Sequence, residues 1–229
     1  KGPNAGVNGN SNDRNSEAKI NGVVTVKETS DVTVNGFTVE AAPDSDQEYP
    51  DHGVFMIGEK GSLNGDNIIK NNIIRVDDSN AADNFVTGAY FEGNSDLELT
   101  FENNLFEETS GDNGAIDQAI VQSNSPISSL DITGNTISTE GGIELVAENG
   151  GLTTEISENE FTSEIGSSYA AVYIKDKDGS SVVDVDILNN NFNSGIGAGI
   201  EFAGNLDVSG SDSIEVSRNK FKETSITGV

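Results

Sequence analysis

Cysteine is absent from this chain, so no disulfide supports its fold and no thiol is available as a nucleophile. Histidine occurs once, at His52, which leaves no basis for a serine or cysteine nucleophile paired with a histidine base. No apolar run reaches the roughly 18 residues that a membrane-spanning helix needs. Basic residues are scarce: 12 Lys plus Arg stand against 39 Asp plus Glu, a formal net charge of −27. Such a field repels nucleic acid and anionic membrane surfaces. The 229 residues amount to one domain.

What the chain does contain is repetition. An aliphatic or aromatic residue, an Asn three positions on and a Phe or Ile two further recur seven times, at Val32/Asn35/Phe37, Ile69/Asn72/Ile74, Phe101/Asn104/Phe106, Ile132/Asn135/Ile137, Ile156/Asn159/Phe161, Ile187/Asn190/Phe192 and Val216/Asn219/Phe221. Successive Asn residues lie 37, 32, 31, 24, 31 and 29 positions apart, the period of a solenoid. The phrase reads as a short strand entering a tight turn, and the Asn is expected at the bend because it tolerates the left-handed region. Stacked about 4.8 Å apart, the seven amides would form a ladder and the Phe/Ile positions an internal stack. A second strand recurs between the phrases, at Val54–Met56, Ala89–Phe91, Ala119–Val121, Ile143–Leu145, Val172–Ile174 and Ile200–Phe202. Short strands at this period without helical periodicity predict a parallel β-helix.

The Ile-x-x-Asn-x-Phe phrase followed by Gly-Ile-x-Phe resembles the repeat of right-handed parallel β-helix proteins. That group includes pectate lyases, polygalacturonases and many secreted surface proteins. The opening Lys1 to Val7, leading through Asn21-Gly22-Val23 to Phe37, is similar to the first coils of the last subgroup. The resemblance implies an all-β, right-handed solenoid of about seven to eight coils spanning residues 1–229. No signal peptide pattern is visible and the first residues read as the interior of a coil, so the chain is expected to be cut from a longer secreted precursor.

Loop length carries the functional expectation. From the repeated Asn to the next strand the distances are 19, 17, 15, 8, 13 and 10 residues, so long loops cluster on the N-terminal repeats. Those loops are acidic. Asp44, Asp46 and Glu48 in the first, with Asp77 and Asp78 in the second, are candidate ligands for Ca²⁺, which takes oxygen donors from flexible loops. Beside them Phe55, Tyr90, Ile120, Glu144, Tyr173 and Glu201 are read as one outward row, with Phe55, Tyr90 and Tyr173 as a stacking surface for sugar rings.

Two function classes follow. A non-catalytic structural or adhesive protein of the cell surface or extracellular matrix would use its open coil ends, Ile20 to Val26 and Ile214 to Ile226, to contact further copies or neighbouring domains. A carbohydrate-active enzyme, a polysaccharide lyase or glycoside hydrolase, would draw on Asp77, Asp78 and Arg75 as its acid, base and cation. The Asn-Thr-Asp, Gly-His-Gly and Arg-Ile-Lys signatures of polygalacturonases are missing, which favours the first class. Glycans are a further candidate partner.

Overall fold

The computed structural model describes residues 1–26, 29–41, 55–57, 65–76, 87–92, 97–108, 118–123, 127–147, 151–162, 170–177, 183–193, 197–204, 206, 213–222 and 226–228. Its strands form three parallel sheets, visited in rotation. Sheet I holds Lys19–Asn21, Thr38–Ala41, Ile73–Val76, Leu105–Glu108, Thr136–Ser138, Glu160–Phe161, Asn191–Phe192 and Lys220–Phe221. Sheet II holds Val24–Val26, Phe55–Ile57, Thr87–Glu92, Gln118–Ser123, Gly141–Ala147, Ala170–Asp176, Ala198–Ala203 and Ile226–Gly228. Sheet III holds Thr33–Asn35, Gly65–Lys70, Leu97–Glu102, Ile127–Thr133, Leu152–Ser157, Val183–Leu188 and Ile214–Ser217. Every strand pairs with the one three places later in the chain, so the fold is a parallel β-solenoid.

The core is a set of in-register rows. In sheet I, Val39, Ile74, Phe106, Ile137, Phe161 and Phe192 lie one above the other and fully buried. Sheet III contributes Ile69, Phe101, Ile132, Ile156 and Ile187, and sheet II contributes Ala89, Ile120, Ile143, Val172 and Ile200. Phe161, Phe192 and Phe221 stack with 4.8 Å between successive ring centroids and planes within 8° of parallel.

Between sheets III and I the chain turns a corner, and the repeated Asn sits just past it. Asn72, Asn104, Asn135, Asn159, Asn190 and Asn219 form a column in which each backbone N–H donates to the next residue's Oδ1, at 2.8–3.0 Å. Each Nδ2 except that of Asn219 also donates to the next Oδ1. Its other hydrogen reaches back to a carbonyl of the preceding rung, as from Asn159 Nδ2 to Ile132 O at 2.8 Å. An interior Asn side chain thus gives two hydrogen bonds and accepts two, which meets its full capacity in a site closed to water.

Two expectations about this column change. The left-handed residue is not the Asn but the residue before it: Asn71, Asn103, Glu158, Asn189 and Arg218 have φ between 54° and 58°, with Gly134 at 65° and Gly36 at 83°. Asn35 therefore precedes the corner instead of following it, and Phe37 takes the first place in the column, donating its N–H to Asn72 Oδ1. The first phrase is displaced by two residues, Val34 pairing with Ile69 and Val39 with Ile74. A two-residue shift keeps the inward–outward alternation, which is why the pattern did not betray it.

Residues 1–18 do not form a coil either. They fold as a flap of turns laid along the corner. Gly2 N donates to Asn35 O, Asn4 N to Gly36 O and Gly9 N to Asn103 O, while Asn10 Nδ2 reaches Thr136 Oγ1. Arg14 fastens the flap, donating from Nη1 to Val7 O, Asn8 O and Asn71 O and pairing through Nε with Glu17 at 2.6 Å. Gly9 is required by contact: a Cβ there would overlap Asn72 O and Leu105 N.

Candidate functional site

Parallel in-register pairing forces like positions to stack on the outside as well as the inside. On sheet III one outward row reads Thr33, Ile68, Thr100, Asp131, Glu155, Asp186, Glu215. Its last four members are carboxylates on adjacent rungs. A neighbouring row sets Asp66 beside Glu98 and Ser129, and further along Thr153 beside Asp184. Like charges directly opposite each other in a sheet are destabilising.

The surrounding groups relieve this only in part. Ser157 Oγ donates to Glu155 Oε1 and Ser217 Oγ to Glu215 Oε1, each at 2.7 Å, and Ser213 Oγ donates to Asp184 Oδ1 at 3.2 Å. Burial, then the charge of Glu155, pushes the Asp131 carboxyl above its ordinary value. Asp186 is raised by burial first, then by Glu215, Asp184 and Glu155. Glu98 is raised foremost by its hydrogen bond with Asp66, then by that residue's charge. Asp66, Glu98, Ser129 and Asp131, with Ile68, Leu99 and Thr100, line an open groove of about 230 Å³.

The N-terminal rungs treat their acids differently. Lys19 pairs with Glu40 at 2.8 Å, Arg75 lies between Glu40 at 3.9 Å and Glu107 at 2.5 Å, and Lys70 meets Glu102 at 3.4 Å. On sheet II, Glu144 is bound by Gln118 Nε2 at 2.7 Å and by Lys175 at 3.5 Å. Among the described residues, no ion pair reaches Asp131, Glu155, Asp186 or Glu215.

Of the residues singled out from the sequence, Asp44, Asp46, Glu48, Asp77 and Asp78 lie outside the described residues. Arg75 is engaged with two glutamates on sheet I. Tyr90 and Tyr173 do share one outward row of sheet II, separated by Val121 and Glu144, which puts them three rungs or about 14 Å apart. Phe55 and Ile120 do not belong to that row. Both register with Ala89, and Ile120 is fully buried; the residues in register with Tyr90 are Thr25, Met56, Val121, Glu144, Tyr173 and Glu201. Two of the strands were read one residue out of register, which for Ile120 exchanged the outer face for the core.

The sequence did hold a signal for the carboxylate row. Its members are the residues immediately before the first aliphatic of the phrase: Asp131 before Ile132, Glu155 before Ile156, Asp186 before Ile187 and Glu215 before Val216. Among the described residues, no group of three or more His, Cys, Asp or Glu is arranged to hold a metal ion. The row is a line of charge, able to take up protons or to associate with cations along its length. No protein-family model, no curated protein and no solved structure matches the chain.

Proposed function

We propose that the chain is a non-catalytic structural or adhesive module of a cell surface or extracellular matrix, a right-handed rod of seven to eight coils whose acidic exterior serves assembly or binding. The observation that carries this reading is the pairing of a stiff amide column with an outward row of carboxylates that have no ion pair among the described residues and are held at the same spacing. A rigid line of like charge gains most from what can bridge it. Divalent cations, cationic partners or Ca²⁺-linked acidic glycans all have that chemistry. Strand edges at Lys19–Asn21, Val24–Val26, Thr33–Asn35, Ile214–Ser217, Lys220–Phe221 and Ile226–Gly228 offer the backbone groups through which further copies or neighbouring domains would add. Ca²⁺ at the loops carrying Asp44, Asp46, Glu48, Asp77 and Asp78 belongs to the same proposal.

Analytical ultracentrifugation and thermal melts with and without millimolar Ca²⁺ test it. Association or a raised Tm that needs Ca²⁺ is the expected result, with the Tm shift removed by neutralising Asp44, Asp46, Asp77 and Asp78 together. A monomer with an unchanged melt would count against assembly and Ca²⁺ alike. Cleavage of any member of a polysaccharide panel, lost in Asp77→Asn, Asp78→Asn or Arg75→Ala, would establish the carbohydrate-active enzyme in its place.

A further inference from the structure

The two ends of the solenoid differ in what they ask of a neighbour. From Asn104 onward each Asn of the column receives, on its Oδ1, the N–H and one Nδ2 hydrogen of the Asn on the rung before it, so the column has a direction and runs toward the C-terminal face. It is closed at the first rung. Ala18 holds the place there, since Thr38 N donates to Ala18 O as Lys220 N does to Asn190 O, and Ala offers no side-chain oxygen. At the last rung the column is open. Asn219 Oδ1 receives both bonds from Asn190, and Asn219 Nδ2 gives one hydrogen to Ile187 O. Among the described residues, its backbone N–H and its second Nδ2 hydrogen have no acceptor, and Asn219 is half-buried where Asn190 is buried. The same rung is basic: Arg218, Lys220 and Lys222 are exposed on a protein of net charge −27, and among the described residues none of the three has an ion pair.

We propose that the C-terminal face docks a rung of a neighbouring β-solenoid domain that carries Asn in the column place and acidic residues on either side of it. This rests on the structural reading above and names the partner at one of its strand edges. The incoming Oδ1 accepts the two free hydrogens of Asn219, as Asn159 Oδ1 accepts those of Asn135. An acid just before the incoming Asn falls opposite Arg218 and one just after it opposite Lys220, about 4.8 Å away. Among the seven repeats of this chain that pattern occurs once, at Glu158-Asn159-Glu160, and Glu160 lies on the outward row that ends in Lys220. The apolar residue two places after the incoming Asn continues the ring stack from half-buried Phe221. A second copy of this chain meets none of these terms: its first rung brings Ala18 to the column and Lys19 to the row of Lys220, and its Glu17 is already held by Arg14.

The test is a synthetic peptide of residues 152–162, which carries Glu158-Asn159-Glu160 between its two strand segments, titrated into the intact chain with binding read by amide chemical shifts. Saturable shifts are expected in Ile214–Ser217 and at Asn219, Lys220 and Phe221. A peptide carrying Asn159→Ala should bind about tenfold more weakly, because the two bonds to Asn219 are lost. Reversing the acids, with Glu158→Lys and Glu160→Lys together, should weaken binding as well, and a peptide of residues 16–26, the chain's own first rung, should leave the last rung unshifted. No saturable shift, shifts confined to the first rung, or equal binding by the Asn159→Ala peptide would each overturn the proposal. Binding at the last rung by the 16–26 peptide as tight as that of 152–162 would overturn it too, while leaving the structural reading in place with copies stacked head to tail.

Discussion

The flap-covered corners and the open ones have the same left-handed backbone, but charged residues stand there only at the open ones. Under the flap the left-handed positions are Gly36, Asn71 and Asn103; beyond it they include Glu158 and Arg218, which pay about 1–2 kcal/mol for that conformation. A Cβ on Gly36 would overlap Ala5 N, so the covered corner has no room for a larger residue, whereas Glu158 and Arg218 extend into solvent. The corner is therefore set by the amide column behind it, which ties every backbone N–H to the next Oδ1. The charges of sheet III shift along the same axis: Lys70 meets Glu102 on the rungs where Asp66 faces Glu98, whereas Asp131, Glu155, Asp186 and Glu215 meet only one another among the described residues.

The sharpest way to break this comparison is to remove the column itself. Asn159→Ala removes four hydrogen bonds from a buried site, the two that Asn135 N–H and Nδ2 donate to its Oδ1 and the two that its own Nδ2 donates to Ile132 O and Asn190 Oδ1, and should cost about 4 kcal/mol in denaturant unfolding. Phe161→Ala, in the middle of the stack, should cost about 3–5 kcal/mol. Asn35→Ala, which looks equivalent in sequence, lies outside the column and should cost only about 1–2 kcal/mol, through its bonds to Gly6 N and Asn71 Nδ2. Equal losses at Asn35 and Asn159 would refute the two-residue displacement of the first repeat.

Next in size is the corner. Gly36→Ala should lower stability by about 2 kcal/mol or more, since it combines a positive φ with a collision against the flap. Glu158→Gly, at an open corner, should instead raise it by about 0.5–1 kcal/mol. Arg14→Ala removes the charged donor that joins Val7 O, Asn8 O and Asn71 O. Its effect should be local: faster hydrogen exchange at Gly9 and Asn4, with the amides of Asn135 and Asn159 unchanged.

The smallest effects concern protons. Asp131, Asp186 and Glu98 have folded-state pKa values raised above their ordinary ones, so in the window just above the ordinary range, about pH 4, the folded chain binds more protons than the unfolded one. Their contribution to stability falls as pH rises through that window and stays lost at neutral pH. Glu17, lowered chiefly by its hydrogen bond with Arg14, behaves oppositely: its contribution is present above the ordinary value and disappears as pH falls through the depressed one. Melting from pH 7 downward should therefore show Tm rising first and then falling. Asp186→Asn should flatten the rise and add about 0.5 kcal/mol at neutral pH, an increment that added salt diminishes.

The sequence by itself determined that the chain is a solenoid, because a strand phrase returning every 24 to 37 residues can bury its apolar positions only against its own copies. Six of the seven repeated Asn residues and the Phe192–Phe221 end of the stack were legible for the same reason. Tertiary structure alone decided register. Whether Asn35 or Phe37 enters the column, and whether Phe55 or Met56 joins the row of Tyr90, depends on which residues lie opposite each other across rungs, and alternating apolar patterns are the same after a slip of two and merely inverted after a slip of one. The flap was hidden for a different reason. Its residues are polar turns with no period, and they are ordered by the carbonyls of a corner that exists only after the coils have stacked.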